Sequence, residues 1–433
     1  MVYINKLITR TKEKKSFFKD IIKMISGTGL SQVIAFAFLP LISRLFLPED
    51  FATQALFLQI IGLLVALLSL KFEQFILFPK DNSVSVSLIF VLLLICLINT
   101  IFYFIVLYFF GNYIYEIYKL GPTYLWYLLP FCSIFMVMSL GLQVFLQKFE
   151  KYSIAAISDI VNKSGYVLSI FILYYFSNLP YILVFALVLG FFLKFCFLFK
   201  FSLAMIREYA NEFNLILLNA YLNFKKYFSQ AIYFTFSDIL VAANGIILSL
   251  FISNFFGLDF FGSWAFVQAT LYAPTAIAGN AAGQVYMQRA SRQHNKGKTF
   301  KKVFITTFKL LLSLSLPIFL IIMFFGVDIY SLIFGANWNV AGKMASIMSI
   351  SFFFGFISNP LARSSLIVNK KYFLIFINAV RLFISILLIL ISKYFQTDIW
   401  NFIWLSTIFM SVFYAFEILM NYTFARKNKY RSI

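Results

Sequence analysis

Apolar blocks of about twenty residues follow one another along the whole chain, separated by short and mostly basic connections. A run of about 20 apolar residues is long enough to cross the hydrocarbon of a bilayer as a helix. Hydrocarbon admits only structures that satisfy their backbone hydrogen bonds internally. The chain is therefore an all-α polytopic membrane protein by sequence. The blocks predict about twelve transmembrane helices, over roughly 21–46, 52–78, 84–109, 122–147, 153–177, 180–201, 227–252, 258–286, 303–326, 340–360, 369–392 and 399–424. With 62% hydrophobic and 12% charged residues, no connection is long enough for a soluble domain.

The net charge of +20 would suggest a nucleic-acid partner in a soluble chain. Its distribution argues otherwise. The segment 1–20, the tail 425–433 and one alternate set of connections, counted with Lys194, Lys200, Lys370 and Lys371 at the adjoining span ends, hold roughly 27 cations, whereas the other side holds only Lys119, Lys343 and Lys393. Basic residues are retained on the cytoplasmic side, so both termini are expected in the cytoplasm and no nucleic acid is implied. The first span is too long for a signal-peptide core and lacks a small-residue cleavage site, so it is expected to be retained. Cys96, Cys132 and Cys196 fall in apolar runs without disulfide or metal spacing. His294 is the one histidine and sits among Lys and Arg, which gives no basis for a metal or His-based catalytic site.

Short matches recur in order along the chain. Asp50-Phe51, then Phe57 and Gln59, return as Asp259-Phe260, then Phe266 and Gln268, an offset of 209. Phe109-Phe110-Gly111 followed by Ile114-Tyr115 returns as Phe324-Phe325-Gly326 followed by Ile329-Tyr330, an offset of 215. Two six-helix lobes, 21–201 and 227–424, are thus expected, related by a pseudo-two-fold axis along the membrane normal with a cavity between them. The stretch 202–226 mixes apolar and charged residues and reads as a cytoplasmic linker lying on the membrane surface.

Charge inside a span is costly and marks a cavity or a partner. Arg44, Lys71, Lys163 and Arg381 are such cations. Glu73, Asp159 and Asp238 are acids singled out within spans, with Asp159 and Lys163 one helical turn apart and able to pair. Gln268 and Asn280 add amides on the eighth span. Guanidinium and ammonium groups match phosphate oxygens, and amides match sugar hydroxyls. Arg44, Lys71, Lys163, Arg381, Gln268 and Asn280 are therefore candidates for binding an anionic, hydroxyl-rich substrate. Glu73, Asp159 and Asp238 are candidates for H+ or Na+ coupling. Gly279 and Gly283 form a GxxxG pattern whose expected role is close helix packing. No Ser-His, paired-carboxylate or metal constellation emerges, so neither a catalytic activity nor a cofactor is expected.

Residues 26–59 resemble the opening of bacterial polysaccharide-biosynthesis membrane proteins, the O-antigen flippase group: Gly27 to Gly29, Arg44, and Pro48 to Phe51. Lys71-Phe72-Glu73 through Leu77-Phe78-Pro79-Lys80 resembles the family's basic-aromatic-Glu segment, with Lys71 for the usual Arg and Phe78 intervening. Phe334, Gly335, Trp338, Ala341 and Gly342 fit its Phe-Gly-x-x-Trp-x-x-Ala-Gly segment. The resemblance implies a MATE-like fold of the multidrug/oligosaccharidyl-lipid/polysaccharide exporter superfamily. It implies flipping of an undecaprenyl-pyrophosphate-linked oligosaccharide across the bacterial inner membrane, with membrane lipids and other polysaccharide-assembly proteins as partners. A multidrug/cation antiporter is the nearest alternative, disfavoured by the cationic bias of the spans. A glycan polymerase or ligase is a second, disfavoured by the short outer loops.

Overall fold

The computed structural model describes residues 29–79, 81–118, 121–177, 179–209 and 213–426. The basic segment 1–20, Lys80 and the tail beyond Arg426 lie outside the described residues, as does the side chain of Asn280. The described residues form helices without strands. In order these are α1 (Gly29–Leu45), α2 (Pro48–Ser69), α3 (Asn82–Tyr118), α4 (Thr123–Lys148), α5 (Tyr152–Phe176) and α6 (Ile182–Tyr209). Then come α7 (Phe213–Phe255), α8 (Leu258–Asn295), α9 (Lys301–Phe334), α10 (Asn339–Leu361), a short α11 (Ser364–Ile367), α12 (Lys371–Tyr394) and α13 (Ile399–Arg426). Each of the twelve expected spans finds a helix. Ten of them are long and apolar enough to cross a membrane. The other two are α1, of which only Gly29–Leu45 is described, and α8, whose polar residues lower its hydropathy.

Two expectations about helix ends are corrected. The second span does not run to residue 78 as one helix. Leu70 and Lys71 adopt left-handed backbone angles (φ 43° and 60°), and a 3-10 turn, Phe72–Leu77, follows. The stretch 202–226 is not a separate surface helix. It is divided between the end of α6 and the start of α7, which at 43 residues exceeds what a bilayer requires.

The chain divides into two compact units. One comprises Ile60–Thr235 with the chain up to Phe38, and the other comprises Leu39–Gln59 with Phe236–Ile433. The segment Leu39–Gln59 thus belongs with the second unit, although it lies in the first half of the sequence. Its contacts explain this. Trp338 is fully buried and stacks on Phe266 of α8, with ring centroids 3.8 Å apart. The indole Nε1–H of Trp338 donates to the Ser43 carbonyl at 2.8 Å, and Ser43 Oγ donates back to the Phe334 carbonyl at 3.2 Å. Phe51 meets both Trp338 and Phe266 edge-on. The Pro-Glu-Asp-Phe motif starts α2: Pro48 occupies its first position, and Asp50 Oδ2 accepts the Leu47 N–H at 2.9 Å, as a capping carboxylate does. The repeated Asp-Phe pair likewise opens α8.

Glycines let helices of this unit touch backbone to backbone. A Cβ on Gly342 would lie 2.7 Å from Val327 Cα, so α9 and α10 cross in direct contact there. A Cβ on Gly283 would lie 2.8 Å from Arg363 Nε, which gives the GxxxG pattern of α8 its packing role against the chain that follows α10.

In the first unit, the Lys71–Lys80 motif is also structural. Phe72 stacks on Phe224 and Phe75 on Tyr227, at 5.4 and 4.9 Å, which fixes the 3-10 turn to the early part of α7. Lys148 at the end of α4 donates to the Pro79 carbonyl at 2.9 Å and bonds Ser85 as well.

Replacing Trp338 by Ala removes a fully buried ring and is expected to cost about 3–5 kcal/mol. Trp338→Phe keeps a ring but loses the indole hydrogen bond, at about 1 kcal/mol. Thermal unfolding of the purified protein in detergent measures both. Gly342→Leu should leave little folded protein in the membrane fraction.

Candidate functional site

The second unit contains two adjoining cavities of about 520 and 240 Å³, in the size range of small-ligand pockets when taken together. Trp264, Gln268 and Tyr272, on successive turns of α8, line both, as do Leu248, Met410 and Tyr414. This explains the low hydropathy of α8: it turns a polar and aromatic side to a cavity, not to lipid.

The larger cavity collects amides from three helices: Gln54 and Gln59 from α2, Asn244 from α7 and Gln268 from α8. Gly245 permits the close approach of Gln59, because a Cβ there would lie 2.2 Å from Gln59 Oε1. Asn244 Oδ1 is buried without a hydrogen-bond partner among the described residues. Arg381 is the one charged residue described in the lining. Its guanidinium lies over Phe413 and Tyr414, 5.2 and 5.8 Å from the ring centroids, and its Nε is buried without a hydrogen-bond partner among the described residues. The aromatic faces hold the cation by attraction to the ring quadrupole while leaving its N–H groups available. One turn before it, Asn378 donates to Ser237 Oγ at 3.0 Å, which ties α12 to α7.

Arg381 and Gln268 therefore come together in one cavity. The other residues expected to bind substrate do not join them. Arg44 is exposed, and its Nη2 donates to the Leu332 carbonyl at 3.1 Å. Lys71 sits in the break after α2 and pairs with the buried Glu73 at 3.7 Å. Lys163 is half-buried on α5. Asp238 is half-buried on α7 and lines neither cavity.

The expected Asp159–Lys163 pair is replaced by one between helices. Lys194 of α6 pairs with Asp159 at 2.6 Å and also donates to Gln143 Oε1 of α4 at 2.9 Å. Gln143 Nε2 completes the ring by donating to Asp159 Oδ2 at 3.2 Å. Three helices of the first unit are thereby joined through one buried and two half-buried polar groups. Lys194 had been counted with the connecting loops; it lies well inside α6 and is 7% exposed.

Residues 17–292 match the family described as polysaccharide biosynthesis protein. The chain belongs to that family. No curated protein matches it in sequence. Among solved structures, it is similar to an inward-facing multidrug resistance MATE family transporter of the MOP superfamily, at 11% identity and a TM-score of 0.62, over 94% of this chain and 96% of that one. It is similar to the eukaryotic MATE transporter AtDTX14, at 15% identity and a TM-score of 0.58, over 98% and 99% of the two chains. It is also similar to the lipid II flippase MurJ in an inward closed conformation, at 14% identity and a TM-score of 0.55, over 94% and 86%. At these identities the likeness establishes the MATE-like fold.

For this family member, Lys194→Ala would leave the half-buried Asp159 without its cation, at an expected cost of up to about 3 kcal/mol, the low end of the cost of breaking a buried pair. The double variant Lys194→Met, Asp159→Asn should recover most of that loss in the same thermal-unfolding assay. A double variant as unstable as the single one would show that the ring does more than neutralise Asp159.

Proposed function

We propose that this protein is a flippase for a lipid-linked oligosaccharide, moving an undecaprenyl-pyrophosphate-linked repeat unit of a surface polysaccharide from the cytoplasmic to the periplasmic leaflet. The observation that carries this reading is the lining of the larger cavity in a chain of the polysaccharide biosynthesis family. Four amides offer both donors and acceptors to sugar hydroxyls, while Trp264, Tyr272 and Tyr414 present ring faces to the apolar faces of a sugar. Arg381 supplies a planar cation for phosphate or an acidic sugar. The chain carries the reaction as a transporter, not as an enzyme. It lies in a bacterial inner membrane with both termini cytoplasmic, a placement supported by the concentration of basic residues in the termini and one alternate set of connections, against Lys119, Lys343 and Lys393 on the other side. Glu73 and Asp159 are held in ion pairs with Lys71 and Lys194, so an ion-coupling role for either requires that pair to open during transport.

A carrier of cationic drugs needs acids where the drug sits, and the described lining of both cavities contains no carboxylate. This favours the glycan over the drug.

Arg381→Ala is expected to insert at normal abundance and to lower surface polysaccharide at least about tenfold, since a hydrogen bond to a charged group is worth roughly 1.5–3 kcal/mol. Lipid-linked repeat units should accumulate on the cytoplasmic leaflet, and Arg381→Lys should restore export only in part. Full-rate export by Arg381→Ala would remove the residue from the mechanism, and resistance of an expressing strain to cationic dyes would favour the drug carrier.

A further inference from the structure

Glu417 is a carboxylate inside α13, and it is 5% exposed. It lines neither cavity. It accepts one hydrogen bond, from Ser358 Oγ of α10 at 2.7 Å, and Ser358 is itself fully buried. One turn further along α13, Asn421 is 0% exposed. Its Nδ2 donates to the Glu417 carbonyl at 2.9 Å, and its Oδ1 has no hydrogen-bond partner among the described residues.

Among the described residues no cation pairs with this acid. The elements packed on α13 are α9, α10, α11 and α12. Their described charged side chains, with those of α13 itself, are engaged elsewhere or exposed. Arg381 lies over Phe413 and Tyr414, and Lys301 over Tyr422 at 5.9 Å. Arg363, just before α11, lies against Gly283 of α8. Lys302, Lys309, Asp328, Lys343, Lys393 and Arg426 are exposed. None of these described residues forms an ion pair with Glu417. A carboxylate has about four acceptor positions, and one neutral hydroxyl leaves most of its charge uncompensated inside a membrane protein.

We infer that Glu417, Ser358 and Asn421 form a binding site for one small monovalent cation, H+ or Na+. All the available donors are oxygens: the carboxylate, the Ser358 hydroxyl and the Asn421 amide oxygen. Oxygen donors suit hard cations. Occupation neutralises the acid and stabilises the α10–α13 packing. The site is connected to the cavities through α13. Tyr414, one turn before Glu417, lines both cavities and would touch a Cβ on Gly355 of α10 at 3.3 Å. Gly355 meets Tyr414 and Ser358 meets Glu417 at the same sequence spacing of 59, so α10 and α13 run parallel and in register here. Cation binding at Glu417 therefore acts on the helix pair that positions Tyr414. That link to transport rests on the proposed glycan reading; the cation site itself does not.

The test is thermal unfolding of the purified full-length protein in detergent, in NaCl or choline chloride at equal ionic strength, at pH 6 and pH 8. A Na+ site raises the wild-type midpoint in NaCl at pH 8 by roughly 2 °C or more. A proton site instead raises the midpoint at pH 6 in choline by a similar amount. Glu417→Gln, neutral and nearly the same shape, abolishes whichever response the wild type shows, and Ser358→Ala weakens it. If wild type and Glu417→Gln respond alike to both Na+ and pH, the proposal is overturned. Because the readout involves no glycan, it stands or falls apart from the export phenotype of Arg381→Ala.

Discussion

A polar group facing hydrocarbon has no water to bond, so its partner must be found within the protein. Most of this architecture follows from that requirement. The indole N–H of Trp338 reaches the Ser43 carbonyl. Lys194, Asp159 and Gln143 close a ring across three helices. Such groups convert apolar helices, which pack almost equally well in many registers, into helices with one register, because a slip would strand a donor or a charge. The exceptions are informative for the same reason. Asn244 Oδ1 and Arg381 Nε lack partners beside the larger cavity, and Asn421 Oδ1 lacks one beside Glu417. In a membrane protein, buried polar atoms left over by the fold are where binding chemistry is to be sought.

The residues that carry the family resemblance prove to be scaffold. Pro48 and Asp50 start a helix, Phe72 and Phe75 fix a 3-10 turn, and Trp338 with Gly342 joins the segment Leu39–Gln59 to the second unit. The larger cavity borrows Phe51 from these motifs, but its polar and aromatic lining, Gln54, Asn244, Trp264, Tyr272, Arg381 and Tyr414, is made mostly of residues outside them. This separation is physically reasonable. Backbone crossings and helix starts tolerate few substitutions, whereas on the proposed reading a cavity that must fit different sugars gains from side chains free to vary around a fixed frame.

The helices themselves were legible because the bilayer imposes a length on apolar runs, and each expected span was found. What the sequence concealed was partnership. Lys194 is surrounded by phenylalanines and looks like part of a basic connection; only folding shows that Asp159, 35 residues earlier, faces it. The pairing with Lys163 was plausible on one helix, but a neighbouring helix supplied a closer cation. The aromatic lining could not be singled out among 59 Phe and 25 Tyr. Glu417, a charge inside the last predicted span, carried a signal that was not used, while its partner Ser358, 59 residues away, could not be foreseen. Gln268 and Arg381 were legible by the same rule, because a polar residue deep in an apolar span has few other reasons to be there.

On the proposed reading, the lining divides the work of recognition. A single guanidinium, restrained by two rings, fixes where an anionic group sits, and it does so for any sugar attached to that group. The amides decide which sugar fits, because each pairs with a hydroxyl of particular direction and leaves an unsatisfied group when that hydroxyl is missing. A more cationic lining would hold the anion more tightly but would also slow its release, and a transporter must let go on the far side. One cation among amides and aromatic faces is thus a better arrangement for moving a glycan than the ring of basic residues that composition alone suggested.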